Sequence, residues 1–219
     1  MRTADAGAKD RVLDAAARLF YREGIHAVGL QRVIDECGCG KNLLYSHFPS
    51  KDDLVAAYLE RMRDAWSTRL QRELAPDDGD PAAQLISVVR AAGRDVGTPG
   101  YRGCAFLNAA AEYPDTGHPV RELCTAHVTD IAAVLHKLAT DARLHDPQTV
   151  TDRLMLVVNG LRASGATLGT PAVTTAVSLA KDIVRSASPQ DTYHGEGTGG
   201  GCSPTKGNTF VSDCDGGGS

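Results

Sequence analysis

Leu54, Tyr58, Met62, Trp66 and Leu70 follow one another at intervals of four residues. A stripe with that step runs along one side of an α-helix, and this one is long. Its start is marked by Ser50, with Asp53 three residues on at the capping-box position. A helix with so long an apolar stripe has to be covered, and the rest of the chain offers only helices to cover it. Asp80-Pro81, Asp146-Pro147 and Thr170-Pro171 each read as an N-cap followed by proline at the first helical position. They predict helices over about 80–94, 147–168 and 171–187. Between them a short helix is expected near 104–113. A longer one near 119–142 has the face Leu123, His127, Ile131, Leu135 and Leu138. No period-two alternation of the kind a strand needs is present.

Upstream of the long helix the elements are short. Val12, Leu13, Ala16, Leu19 and Phe20 form one face of a helix over 9–23, closed by Gly24. Leu30, Val33, Ile34 and Cys37 define a second helix over 30–37, stopped by Gly38 in the left-handed conformation that glycine tolerates. A third runs from Lys41 to His47. The expected fold is therefore all-α, with about nine helices. Three domains are expected: a helix-turn-helix domain over 1–50, a helical domain over 51–187 for ligand binding and dimerisation, and a disordered tail over 188–219. The tail is rich in Gly, Ser and Thr and almost free of apolar residues, so it cannot bury enough surface to offset its ordering.

The segment GCGKNLLYSHFPSK, residues 38–51, concentrates basic, aromatic and imidazole side chains in a chain whose net charge is −4. Residues 1–51 hold eight Lys/Arg against six acids. That excess is too small to signal nucleic acid by itself, so the argument rests on arrangement. Two short helices joined by a glycine turn, with a third before them, are the parts of a helix-turn-helix, whose second helix enters the major groove. Leu44 and Phe48 would anchor that helix. Lys41, Asn42, Leu43, Tyr45, Ser46 and His47 are then left on the outward face. Asn can read adenine, Leu can meet a thymine methyl, and the Tyr hydroxyl and His can donate to phosphates. Lys51 adds charge at a helix N-terminus suited to a phosphate. Arg11 and Arg32 read as solvated helix charges.

The stretch from Arg11 to Leu59, with LLYSHFPSKDDL at its end, resembles the DNA-binding domain of the TetR/AcrR family of bacterial transcriptional regulators. YRGCAFLNAAAEYPDTGHPVR, residues 101–121, is similar to a segment of an actinobacterial branch of that family. The resemblance implies a homodimer that binds a palindromic double-stranded operator and is released by a small-molecule inducer. It makes Tyr45, His47 and Lys51 phosphate contacts, turns Lys41, Asn42 and Leu43 toward the groove, and adds Gln31 as a further contact. Gly29 and Gly40 stand where many members carry Thr or Ser caps, which leaves a ligand-binding module with weakened DNA binding as an alternative, and Asn42-Leu43 replaces a common Gly-Thr pair.

Gly160, Ala163, Ser164 and Gly165 suggest close approach of a second helix. With the stripe Val173, Ala176, Val177, Ala180, Ile183 and Val184 they suggest a dimer interface. Trp66, Phe106, Asn108, Tyr113, His127 and Asn159 are candidate pocket residues. Cys104 is an alternative thiol sensor: it sits at an expected helix start beside Arg102, with Cys124 as a possible resolving partner.

Six cysteines, at 37, 39, 104, 124, 202 and 214, are sparse for a disulfide-stapled fold, and a reducing compartment would keep them as thiols. The C-x-C at 37 and 39 has no second pair nearby to complete a zinc site, and Cys37 and Cys39 are expected to be packed thiols. No catalytic motif appears, so neither enzyme activity nor a metal or cofactor is expected. His118, His127, His136 and His145 recur every nine residues and do not share a helical face. The N-terminal stretch lacks the apolar core of a signal peptide and no long apolar run follows, so a cytoplasmic protein without a membrane span is expected.

Overall fold

The computed structural model describes residues 3–189, and the expected disordered tail from residue 190 onward lies outside them. Nine α-helices follow in chain order among the described residues, with no strand. They are α1 (Thr3–Glu23), α2 (Leu30–Cys37), α3 (Lys41–His47), α4 (Lys51–Leu74), α5 (Pro81–Gly93), α6 (Ala105–Glu112), α7 (Pro119–Asp141), α8 (Pro147–Leu168) and α9 (Thr170–Ala187). A single 3₁₀ turn, Ala75–Asp77, follows α4.

The caps explain most of these boundaries. The Ser50 hydroxyl accepts from Asp53 N at 3.1 Å, and Ser50 N donates to the Asp53 carboxylate at 2.9 Å, closing a capping box with the shorter acid. Asp80 accepts from Ala83 N and Asp146 from Thr149 N, each with proline at the start of the helix. Thr170 departs from expectation: it is the first residue of α9, and the cap is Gly169. Gly169 has φ 63° and ψ −150°, so the reversal between α8 and α9 falls on the residue that bears it without a Cβ penalty. Gly29 and Gly40 cap α2 and α3 with no side-chain hydrogen bond.

Two apolar cores form. The first joins α1, α2, α3 and the front of α4 (Leu54, Val55, Tyr58, Leu59) to Phe106, Ala109 and Tyr113 from the α6 segment and Val120 and Cys124 from α7. The second gathers Trp66 and Leu70 from the rear of α4 with α5, α7, α8 and α9. The four-residue stripe of α4 thus serves both.

Cys37 and Cys39 pack partly against the first core, but they are joined by a disulfide and are not free thiols. Gly38 at φ 61° turns the chain and brings their Cα atoms to 5.3 Å, inside the range a disulfide spans. Ligand spacing and redox compartment, the arguments applied to the sequence, do not register this local closeness.

The small-residue run on α8 also divides differently from expectation. Gly160 and Ala163 are exposed, whereas Gly165 is buried against the chain's own core. A Cβ at Gly165 would lie 2.8 Å from Val96 Cγ2 and 3.2 Å from the Tyr101 ring. On α9, Ala172, Ala176, Ala180 and Val184 are buried within the subunit, and Val173, Val177 and Ile183 pack against the same core. Most of the expected interface stripe therefore covers α5 and α8 of its own chain. Gly165→Ala is expected to cost about 1–3 kcal/mol through overpacking. Gly160→Ala, with nothing within 4 Å of the new Cβ, should be neutral or mildly stabilising. Urea midpoints of the two variants test the contrast.

Candidate nucleic-acid interface and effector cavity

Helix α3 is anchored to the first core by Leu44 and by Phe48 just beyond it. Leu44 has no exposed surface, and Phe48, directly after the helix, is 2% exposed. Lys41, Asn42, Tyr45 and Ser46 are exposed, while Leu43 and His47 are half-buried. Tyr45 is 41% exposed, with the Lys41 ammonium 5.8 Å from its ring centroid. The Ser46 hydroxyl donates to Leu43 O at 2.7 Å, so its proton is already committed to the backbone. Gln31 on α2 is exposed and donates to Asp35 at 2.9 Å, one turn away. Lys51 is half-buried. Its ammonium donates to His26 O at 3.5 Å, and burial lowers its pKa from the usual lysine value. Lys9, which entered the sequence reading only as part of a charge count, lies over the Phe48 ring at 5.9 Å. It therefore adds a cation beside the end of α3. Arg32 sits 3.8 Å from Glu23, and Arg11 donates to Gly7 O.

Behind this face the α6 segment clasps the helix-turn-helix. The Glu112 carboxylate accepts from Ile25 N at 2.9 Å and His26 N at 2.6 Å, in the turn between α1 and α2. The Tyr113 hydroxyl donates to Asp52 at 3.1 Å, and His118 Nε2 lies 3.4 Å from the other oxygen of that carboxylate. The Tyr113 ring packs between His26, at 4.8 Å, and His118, at 4.6 Å. Burial and the neighbouring Asp52 carboxylate push the Tyr113 phenol well above its ordinary range, so it remains a donor.

The other end of α6 forms part of the wall of an open cavity of about 450 Å³ lined by α1, α4, α5, α7, α8 and the loop before α6. Trp66, Cys104, Phe106 and His127, four of the seven candidate pocket residues, line it together. Asn108 does not. It lines a smaller cavity of about 90 Å³, and its amide donates to Arg102 O. Tyr113 belongs to the clasp, and Asn159 is half-buried on α8 away from the cavity lining. His127 stacks on Phe106 with ring centroids 3.7 Å apart and planes 10° apart, and meets Trp66 edge-on at 6.1 Å. Burial, aided by the nearby Arg162 charge, lowers the His127 pKa to about 4, so the imidazole is neutral at neutral pH.

Several lining residues were not singled out from the sequence. The Tyr21 hydroxyl donates to Gly103 O and accepts from Arg102 N, fixing the loop that closes the cavity. Arg69 pairs with Asp95 at 2.7 Å. Arg162 is 6% exposed, with its guanidinium carbon 4.4 Å from the Trp66 ring centroid. A signal for it was present. Leu154, Val158 and Arg162 fall at four-residue steps on the buried stripe of α8, and an arginine on such a stripe is out of place. Arg162 is also the guanidinium that lies near the Cys104 side chain in the cavity wall, a position the sequence suggested for the adjacent Arg102. Cys124 is buried, and its thiol is pushed up to about 11, which leaves it protonated.

A short second helix presenting polar side chains from a three-helix core, joined through shared helices to a further helical body with an open cavity, is the arrangement of a helix-turn-helix DNA-binding regulator. The model of bacterial regulatory proteins of the tetR family matches residues 12–58. The chain is 29% identical to the HTH-type transcriptional regulator YjdC of Escherichia coli over 184 residues, covering 82% of this chain and 94% of that protein. It is 31% identical to an HTH-type transcriptional regulator of Mycobacterium tuberculosis over 157 residues, covering 70% and 72% of the two chains. The crystal structure of SCO4454, a TetR-family transcriptional regulator from Streptomyces coelicolor, superposes with a TM-score of 0.78 at 32% identity, covering 84% and 97%. The chain belongs to the TetR family. No helix among the described residues is long and apolar enough to cross a membrane.

The depressed pKa of His127 sets a stability window. Because the folded value of about 4 lies below the ordinary histidine value of 6.5, the stabilisation is complete above pH 6.5 and is lost as pH falls toward 4. The full loss is on the order of 3 kcal/mol. His127→Phe should be less sensitive than the wild type when urea unfolding is compared at pH 7.5 and 4.5. Parallel losses in both proteins would contradict the assignment.

Proposed function

We propose that this regulator is a homodimeric repressor that leaves its operator when a small molecule occupies the cavity beside α6. The observation that carries the DNA-binding role is α3 itself, where Tyr45 is exposed on a helix anchored by a fully buried Leu44. An exposed tyrosine flanked by Lys41 and Asn42 on a groove-sized helix suits phosphate contact by the phenol and base reading by the amide. In this reading Tyr45, His47 and Lys51 hold phosphates, with Lys9 as an added contact. Lys41, Asn42 and Leu43 read bases, and Ser46 and Gln31 contribute at the margins. Residues 1–50 serve DNA, and 51–187 serve effector and dimer.

Dimerisation is assigned to the outer face of α8 and α9. Leu156 is 74% exposed, Leu168 59% and Leu179 49%, and Gly160 and Ala163 share the face of Leu156. Large apolar residues left in water on adjacent helices favour a self-complementary two-fold contact. Such a pair would set two recognition helices for two half-sites of a palindrome.

Coupling is assigned to α6. Phe106 faces the cavity at its front, and Glu112 with the following Tyr113 holds the α1–α2 turn and Asp52 at its rear. An effector that displaces Phe106 would shift this short rigid element and with it the recognition helices, favouring a conformer unsuited to adjacent grooves. Cys104 supports a second reading on one observation: it lines the same cavity, near Arg162. Modification there would act on the same helix.

Three outcomes are expected. Tyr45→Ala should weaken binding roughly tenfold on every operator variant, the scale of one hydrogen bond to a charged group. Asn42→Ala should instead alter which variant is preferred, and an equal loss on all variants in a gel-shift series would refute base reading. Leu156→Asp should yield monomers by sedimentation equilibrium and abolish tight operator binding, and an intact dimer would overturn the interface.

A further inference from the structure

Three arginines line the cavity, and two have acidic partners. Arg18 lies 3.5 Å from Glu36 and Arg69 2.7 Å from Asp95. Arg162 is the most buried of the three, and no carboxylate of the described residues lies within ion-pair distance of it. Burial lowers its pKa, but an arginine starts so high that the guanidinium stays charged. Its guanidinium lies over the Trp66 ring, and the Cys104 thiol, the Tyr101 phenol and the Arg69 guanidinium, itself paired with Asp95, are nearby. Tyr101 is pushed up to about 12 by burial and so is neutral. His127 beside it is neutral as well. A desolvated charge without a counter-ion is unfavourable, which the Trp66 contact offsets only in part.

We infer that the cavity takes an aromatic monocarboxylate, its carboxylate on the Arg162 guanidinium and its ring along Trp66 and the stacked Phe106–His127 pair. This rests on the effector reading above and names the chemistry of that site. The charge count selects a monoanion. Asp95 is already neutralised by Arg69, leaving the single positive charge of Arg162 to be matched. The geometry selects a planar ring, because Trp66, Phe106 and His127 supply flat walls within one cavity of about 450 Å³. Guanidinium and carboxylate are matched for paired hydrogen bonds. The start of α6 at Cys104–Phe106, where partly positive backbone amides gather, lies in the same wall and adds to the preference for an anion.

The test uses the full-length protein and three probe pairs: benzoate, cinnamate and 2-naphthoate, each beside its neutral amide, with 2-naphthyl phosphate as a dianion. Calorimetry should give at least one carboxylate bound tenfold or more tighter than its amide and tighter than the phosphate. That preference should vanish in Arg162→Met and persist in part in Arg162→Lys. Equal binding of acid and amide, a stronger phosphate, failure of every carboxylate to bind at millimolar concentration, or an undiminished preference in folded Arg162→Met would each overturn the inference. Because the acid–amide comparison is made on the wild type, it stands whatever the variants do to folding. Operator release is read separately by gel shift. Carboxylate preference without release would retain the anion site and remove the inducer reading. Release by the amides alone would do the reverse.

Discussion

Helix α4 is shared between two apolar cores, and the remaining architecture follows from that sharing. Leu54, Val55, Tyr58 and Leu59 lie among the side chains of the DNA-binding helices, whereas Trp66 and Leu70 lie among those of α5, α7, α8 and α9. Each such side chain contributes about 1.5–3 kcal/mol when buried. Withdrawing either half of α4 from its neighbours would therefore cost several times the stabilisation of any one surface contact. The two bodies cannot drift apart freely. Any motion of one relative to the other has to pass through elements that contribute to both cores. Besides α4, α7 contributes to both cores, with Val120 and Cys124 in the first and Ile131, Leu135, Leu138 and Ala139 in the second, and the α6 segment joins the first core to the cavity through Phe106.

The same sharing explains why the clasp is polar while the cores are not. Glu112 accepts two backbone amides of the α1–α2 turn, and Tyr113 and His118 converge on Asp52 at the start of α4. Hydrogen bonds of fixed geometry define one register between the parts. An apolar patch would tolerate sliding. In the proposed repressor, whose recognition helices would change spacing on release, a small set of directional bonds suits such a change better than a broad apolar contact. The cavity shows a related economy. Most of its wall is aromatic or small, and its few charged groups are neutralised within the chain except for Arg162.

Much of the fold was legible in the sequence because helix signals are local. Caps at Ser50, Asp80 and Asp146 mark starts through hydrogen bonds to backbone amides three residues away, and Gly38 marks a stop through its own φ angle. The outward face of α3 was readable for the same reason, since Leu44 and Phe48 determine by helical geometry which side is left for solvent. The cavity was read only in part. Trp66, Phe106 and His127 announced themselves as aromatic and imidazole side chains, but Asn108 and Asn159 looked equally suitable and are directed elsewhere. Arg162 was passed over because a charged residue on a helix is ordinarily solvated.

Local hydrogen bonding and apolar spacing, both carried by residues within a few positions of one another, determined the all-α fold, the helix boundaries and the exposed face of α3. Tertiary structure decided whatever depends on which distant residues meet. It turned most of the α9 stripe and Gly165 inward and left Leu156, Leu168 and Leu179 in water. It closed Cys37 onto Cys39 across the αL turn at Gly38. It also drove the Arg162 guanidinium into an aromatic cavity with no carboxylate beside it. The physical reason is the same in each case. Burial and charge pairing are sums over neighbours in space, and the sequence specifies neighbours only along the chain.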